Sequence, residues 1–172
     1  GGMGALLGAV GGRAAFAAQE DAETPPHRTY SPMALGLLIR PFPNPEAKIR
    51  QAHEMGFSTC FLSLDGYLGS YSPKLAKKFN RLFDKYQIVP TAAEVVNPQP
   101  LKWNFVEGPS TIGLVPRAYR AARVSALKQT SDFARALGVD RIQTHCGFIP
   151  EDPQNPLYGE TVDTIKDLAE YC

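Results

Sequence analysis

Short apolar runs alternate with amphipathic stretches from residue 33 to the end of the chain, and the alternation predicts the architecture. Residues 33–40 (Met-Ala-Leu-Gly-Leu-Leu-Ile-Arg) are nearly continuously apolar, which suits a strand buried on both faces, as parallel strands are. Asn44-Pro45 then sets an N-cap residue before a proline at the first helical position. Ile49, Ala52 and Met55 mark the inward face of that helix, and Gly56 closes it. Residues 57–64 read as a second strand, ended by Asp65-Gly66. Ser72-Pro73 repeats the cap-plus-proline start, with Leu75, Phe79, Leu82 and Phe83 inward. Lys74, Lys77, Lys78 and Arg81 fall at helical spacing on the opposite face, the pattern of a solvated outer helix rather than a phosphate footprint. Residues 87–96 form the third strand, where Pro90 is tolerable only near the strand start.

A long loop, residues 97–115, follows, and loops of that length in compact domains are commonly functional. Pro116 opens a helix in which Tyr119, Val124, Leu127, Ala134 and Leu137 are core candidates. It ends at Gly138, the residue type that takes positive φ at a helix C-terminus without a Cβ clash. About six strand-like residues then finish at Thr144-His145, and Cys146-Gly147 turns the chain away. Residues 148–158 are a Pro-rich loop, and a last helix begins at Glu160 with Val162, Ile165, Leu168 and Ala169 inward. The joints repeat: Glu54-Met55-Gly56-Phe57-Ser58-Thr59 resembles Ala136-Leu137-Gly138-Val139-Asp140-Arg141.

Strict β-α alternation with apolar strands predicts a parallel sheet with right-handed crossovers. No Gly-rich phosphate fingerprint follows the first strand, where Arg40-Pro41-Phe42-Pro43 stands instead, so a Rossmann nucleotide fold is disfavoured. An eight-unit barrel takes about 250 residues. The predicted fold class is therefore α/β, of the TIM (β/α)8 barrel family, as an N-terminal half of about four βα units over residues 33–172.

Composition changes this picture little. With 18 Lys and Arg against 17 Asp and Glu, the formal net charge is +1, and nothing favours nucleic acid as a partner. The three cysteines, Cys60, Cys146 and Cys172, have no CxxC spacing and indicate neither a disulfide framework nor a zinc knuckle; Cys60 reads as a small buried strand residue. The N-terminus adds more. Residues 1–18 are Gly/Ala-rich and apolar, with small residues at a cleavage-like spacing before Gln19-Glu20-Asp21. That is a signal-peptide-like segment without its basic start, so the chain is expected to be exported, periplasmic or secreted; a low-complexity tail is the other reading. The segment is too short and Gly-rich for a stable membrane span. Residues 19–32, with Pro25, Pro26 and Pro32, read as a linker. The chain stops at Tyr171-Cys172 within a helical pattern, as a piece of a longer reading frame does.

Parallel strands all finish on one side, so the predicted strand ends bring Arg40, Asp65, Glu94 and His145 to one mouth. Glu94 lies in an apolar strand, where an ionised carboxylate is costly unless paired or metal-bound. Arg40 and Glu94 can equally be a structural couple, and Asp65 can simply shape its Asp-Gly turn. A neutral imidazole at His145 can exchange hydrogen bonds with a substrate hydroxyl or bind a metal through one nitrogen; it can also be a satisfied core histidine. Cys146 does not make a dyad with it, since adjacent strand residues point to opposite faces. Trp103 and Phe105 can stack on a sugar ring or pack beneath their loop. Glu151, Asp152 and Asn155 read as turn formers among prolines. His53, in mid-helix, and His27, in the linker, are poor ligand candidates.

Leu114-Val115-Pro116-Arg117, Ala121-Ala122-Arg123, Leu127-Lys128-Gln129-Thr130 and the run from Gln143-Thr144-His145-Cys146-Gly147 to Glu151-Asp152-Pro153 resemble the sugar phosphate isomerase/epimerase family. These are xylose isomerase-like TIM barrels, related in fold to apurinic endonucleases. The resemblance implies a divalent-metal enzyme (Mn, Mg, Co or Zn) acting on a small-molecule carbohydrate or polyol by proton transfer next to a carbonyl. It also implies that His145 lines the substrate pocket; Glu94 and Arg40, from the strand ends, and Trp103, from the long loop, are the other substrate-binding candidates. The two Glu, the Asp and the His that hold the metal in that family belong to later strands. No catalytic or metal-binding residue is therefore expected before Cys172, and the chain alone is expected to be inactive.

Two rival readings remain at this stage. A non-catalytic carbohydrate-binding module would use Trp103, Phe105 and the same mouth. A metal-dependent endonuclease would need several strand-end histidines and a basic mouth. Half a barrel also leaves open sheet edges and one apolar sheet face, so the chain is expected to pair with itself.

Overall fold

Four strands run the same way in one sheet, in the order β1-β2-β3-β4, with the helices between them. The computed structural model describes residues 35–172. The signal-like segment, the linker with His27, and the first two residues of the expected first strand lie outside the described residues. The elements are β1 (Gly36–Ile39), α1 (Pro45–Glu54), β2 (Thr59–Ser63), α2 (Pro73–Tyr86), β3 (Val89–Glu94), α3 (Gly108–Thr111), α4 (Arg117–Ala136), β4 (Ile142–Gln143) and α5 (Pro156–Tyr171). The fold is the expected parallel α/β half-barrel. No described helix is long and apolar enough to cross a membrane.

Local chemistry fixes the helix ends. The Asn44 side chain accepts from the Ala47 amide at 3.1 Å and the Ser72 hydroxyl from the Leu75 amide at 3.2 Å, each followed by proline at the start of the helix. The C-termini of α1 and α4 close alike: Phe57 donates to Ala52, and Val139 to Ala134, around Gly56 (φ 83°) and Gly138 (φ 70°). The similarity of these two joints in sequence is thus a shared helix stop.

Ile39, Leu62 and Ala93 share the sheet face that packs on α1, α2 and α4, in a core with Ile49, Phe79, Phe83 and Phe133. Tyr71 stacks on Phe133 at 4.6 Å between ring centroids and meets the Thr130 hydroxyl at 2.9 Å; burial pushes its phenol up to about 12. The basic stripe of α2 is exposed, as expected of an outer face, and Cys60 is fully buried.

Several expectations need correction. The first strand is not buried on both faces: Leu38, on the side away from the helices, is 42% exposed. The fourth strand has two residues instead of about six, because Val139 turns into the core at the helix stop and the ladder starts only at Arg141. Met55 is exposed because α1 ends at Glu54 and leaves it past the inward face; Ala169 is exposed because Thr161 and Leu168 carry the buried face of α5. Tyr119 and Val124 are only half-buried. The last helix starts four residues before Glu160, at Pro156, since the Asn155 side chain caps the Leu157 amide at 3.0 Å. Pro90 is accommodated by a register shift: Cys60 pairs with Pro90 and Phe61 with Ala92, leaving Thr91 as the extra residue.

Glu160 joins α5 to α4. Its carboxylate accepts from Arg117 at 2.8 and 2.6 Å and from Arg120 at 2.8 Å, and these guanidinium groups hold it down to about 2. A carboxyl whose folded value lies below its usual value of about 4.3 stabilises the fold above that pH and ceases to do so as pH falls towards 2. Protection of α5 amides, taken as exchange relative to the intrinsic rate at each pH, is expected to fall over that window, and Glu160→Gln to flatten the dependence. An unchanged exchange profile in the wild type would contradict this linkage.

Candidate functional site

The carboxyl end of the sheet is shaped by three connections that the strands deliver to one side. Ser63 pairs with Glu94 and Glu94 with Gln143, so these residues stand at one level. The Glu94 side chain leaves the sheet on the face opposite Ala93. It is almost fully buried, and its Oε1 lies 3.7 Å from His145 Nε2. That is ion-pair range for an imidazolium and too long for a hydrogen bond. The turn carrying His145 is anchored one residue earlier, where the Thr144 hydroxyl donates to the Val95 carbonyl at 2.8 Å. Thr144 thereby extends the β3–β4 pairing through its side chain after the backbone ladder ends.

Trp103 meets the His145 ring edge to face at 4.8 Å and is 58% exposed. Beside them opens a cavity of about 380 Å³ lined by Trp103, Phe105, Ile112, His145, Cys146 and Phe148 among others. Its size suits a small-molecule site. Cys146 lines it together with His145: residues 144–147 are no longer strand, so the alternation that would separate the two does not apply.

The loop that brings Trp103 here is held from below by Arg123 of α4. This guanidinium, 3% exposed, donates to the carbonyls of Pro98, Pro100, Thr111 and Gly113, the last three at 2.6–2.7 Å. Tyr119 lies against it at 5.1 Å, and burial lowers its pKa below the usual arginine range. The loop is joined in turn to the His145 turn, since the Cys146 carbonyl accepts from the amides of Leu114 (2.7 Å) and Val115 (3.2 Å).

Of the four substrate-binding candidates, the structure brings Glu94, His145 and Trp103 together. Arg40 is exposed, and Glu94 faces His145 rather than the expected Arg40 partner. Asp65 does more than shape its own turn: Oδ1 accepts from the Val96 and Asn97 amides at 2.8 and 2.9 Å, fixing the chain as it leaves β3. Asp152 and Asn155 are turn formers, as their spacing predicts. Phe105 does not pack beneath its loop; it is 90% exposed and meets only the edge of Phe148, centroids 6.1 Å apart, among the ring contacts described. Sequence reasoning overlooked Arg123 and the Phe105–Phe148 pair.

Comparison with solved structures decides the fold. A xylose isomerase domain protein from Planctomyces limnophilus superposes with a TM-score of 0.71 over 80% of this chain and 49% of its own, at 24% identity. This chain folds as half of a xylose isomerase-like barrel. A D-psicose 3-epimerase solved in the presence of D-fructose matches the half-barrel with a TM-score of 0.57, over 81% of this chain and 48% of its own, at 16% identity. A family 2 AP endonuclease from Brucella melitensis gives 0.51 over 80% and 50%, at 15% identity. The half-barrel thus spans about half the length of the structures it matches. No protein-family model and no curated protein matches the sequence.

The xylose isomerase-like resemblance implies a divalent metal. A catalytic zinc site uses three protein ligands. Glu94 and His145 offer two donors, and the described residues contain no group of three His, Cys, Asp or Glu placed to hold an ion. The residues at this mouth therefore do not make a metal site by themselves.

Proposed function

We propose that the half-barrel binds a sugar or sugar-like polyol at this mouth, as the substrate-side half of a metal-dependent isomerase or epimerase that moves a proton next to a carbonyl. The observation carrying this reading is the convergence of Glu94, His145 and Trp103 at the carboxyl end of the strands, where barrels of this fold build their sites. In this reading a buried carboxylate and an imidazole exchange hydrogen bonds with vicinal hydroxyls. The exposed indole covers the C–H face of the ring. Glu94 is a single carboxylate, so the described residues bind and orient the polyol without the pair of carboxylates that the proton transfers require. Export of the chain belongs to the same proposal and is supported by the composition of residues 1–18.

Trp103 is the only tryptophan, so its emission reports on this mouth alone. Titration with D-fructose is expected to change that emission, with or without chelator. His145→Ala and Glu94→Gln are each expected to weaken binding about tenfold or more, the loss of one charge-assisted hydrogen bond. No response to the sugar in the wild type would sink the reading. The two-donor mouth and the exposed indole also favour a second reading, a carbohydrate-binding module without turnover. Conversion of D-fructose to its C3 epimer on addition of Mn²⁺ by a chain that also carries the later strands of the barrel would exclude that module; chelator-insensitive binding without conversion by that longer chain would favour it.

A further inference from the structure

We propose that the ligand is amphipathic: a polyol ring on the His145 side of the cavity, carrying an uncharged apolar substituent, aromatic by preference, that lies against Phe105 and Phe148. The proposal deepens the sugar reading above and rests on it. Most side chains lining the cavity are apolar or aromatic. Phe105 and Phe148, set edge to face at 6.1 Å, line it together with Ile112, and their chain neighbours Val106 and Ile149 are exposed. Asn104 is the amide side chain in the lining, and its own loop occupies it. Oδ1 accepts from the Val106 and Glu107 amides at 2.9 and 2.7 Å, and Nδ2 donates to Glu107 at 3.1 Å. Hydroxyls directed to Phe105 and Phe148 would meet aromatic faces and no free amide.

The arrangement is built. A Cβ at Gly108 would come within 2.8 Å of the Phe148 ring, so glycine there is what lets the ring lie against the loop. Aromatic surface left facing a cavity is the usual mark of a ligand's apolar part, since covering such a ring removes apolar area from water. Charge decides what the substituent is not. Among the described residues no lysine or arginine lines the cavity, whereas a phosphate is ordinarily held by such side chains. The bare monosaccharide fits less well than a sugar that keeps its carbonyl and carries such a substituent, because the bare sugar leaves the Phe105–Phe148 wall uncovered; phenyl and methyl glucosides probe binding of the substituent alone.

The test uses the whole 172-residue chain and Trp103 emission, with methyl β-D-glucopyranoside, phenyl β-D-glucopyranoside and phenol as probes. The phenyl glucoside is expected to bind about tenfold or more tightly than the methyl glucoside. Phe105→Ala, which removes a side chain that is 90% exposed, should bring phenyl glucoside affinity down to that of the methyl glucoside while leaving the melting temperature unchanged. Equal affinity for the two glucosides would overturn this inference and leave the sugar reading standing. Phenol binding as tightly as phenyl glucoside, or no response to either glucoside, would overturn this inference; the sugar reading falls only if D-fructose also gives no response. Tighter binding of glucose 6-phosphate than of methyl glucoside would overturn the uncharged character proposed here. Loss of methyl glucoside binding in Phe105→Ala would count against the placing of the polyol ring on the His145 side.

Discussion

Replacing Gly147 with alanine is expected to lower the stability of the chain by about 3 kcal/mol or more and to detach the His145 turn from the loop beside it. Gly147 has φ 98°, and a Cβ there would overlap the Ile112 carbonyl. Gly113, with φ 76°, is the reciprocal partner: its Cβ would overlap the Cys146–Gly147 backbone. A side chain held at positive φ costs about 1–3 kcal/mol, and forcing apart packed atoms a further 1–3 or so. The contact opposing both changes is backbone against backbone, so no side chain can swing away to relieve it. Gly56→Ala is the control. Gly56 also has positive φ, but a Cβ there meets nothing within 4 Å, so only the conformational part, about 1 kcal/mol, should be lost. Urea unfolding followed by Trp103 emission and far-ultraviolet circular dichroism measures both. Equal losses for the two variants would refute the interlocked turns.

Arg123→Met is expected to cost about 2–3 kcal/mol and to release the loop that carries Trp103. One planar guanidinium reaches four carbonyls from different parts of residues 98–113. Its removal leaves those acceptors unsatisfied at the buried base of the loop. Arg123→Lys should recover little of the loss, because a single ammonium cannot span the fork. Hydrogen exchange should show protection falling in residues 98–113 before it falls in β2 and β3, and D-fructose affinity should fall with it. Retention of loop protection in Arg123→Met would mean that the loop holds itself.

The strands and most helices were legible because each is marked locally. Asn44-Pro45 and Ser72-Pro73 start helices, Gly56 and Gly138 stop them, and apolar runs between those marks become strands. Asn155-Pro156 is the same start signal, and it was missed among the other prolines of residues 148–158. The mouth was legible only in part. Glu94 and His145 are placed by the rule that parallel strands finish together, and that rule needs no knowledge of the loops. Arg40 obeys the rule by position, yet Glu94 is turned to the ring across β4. Arg123 could not have been recognised from spacing. An arginine in a long amphipathic helix reads as solvated, and its acceptors are carbonyls of a loop whose path no periodicity describes. Phe105 and Phe148 likewise meet through two loops 43 positions apart in the chain.

Each strand hydrogen-bonds to the one that precedes it in the chain, with no strand inserted later between earlier neighbours. A nascent polypeptide can therefore complete β1–α1–β2 before β3 has left the ribosome, each new unit docking on a finished edge. The mouth is assembled last, because Glu94 obtains its imidazole partner only once residue 145 has emerged. Translation arrested before that point should yield an ordered sheet that lacks the binding site.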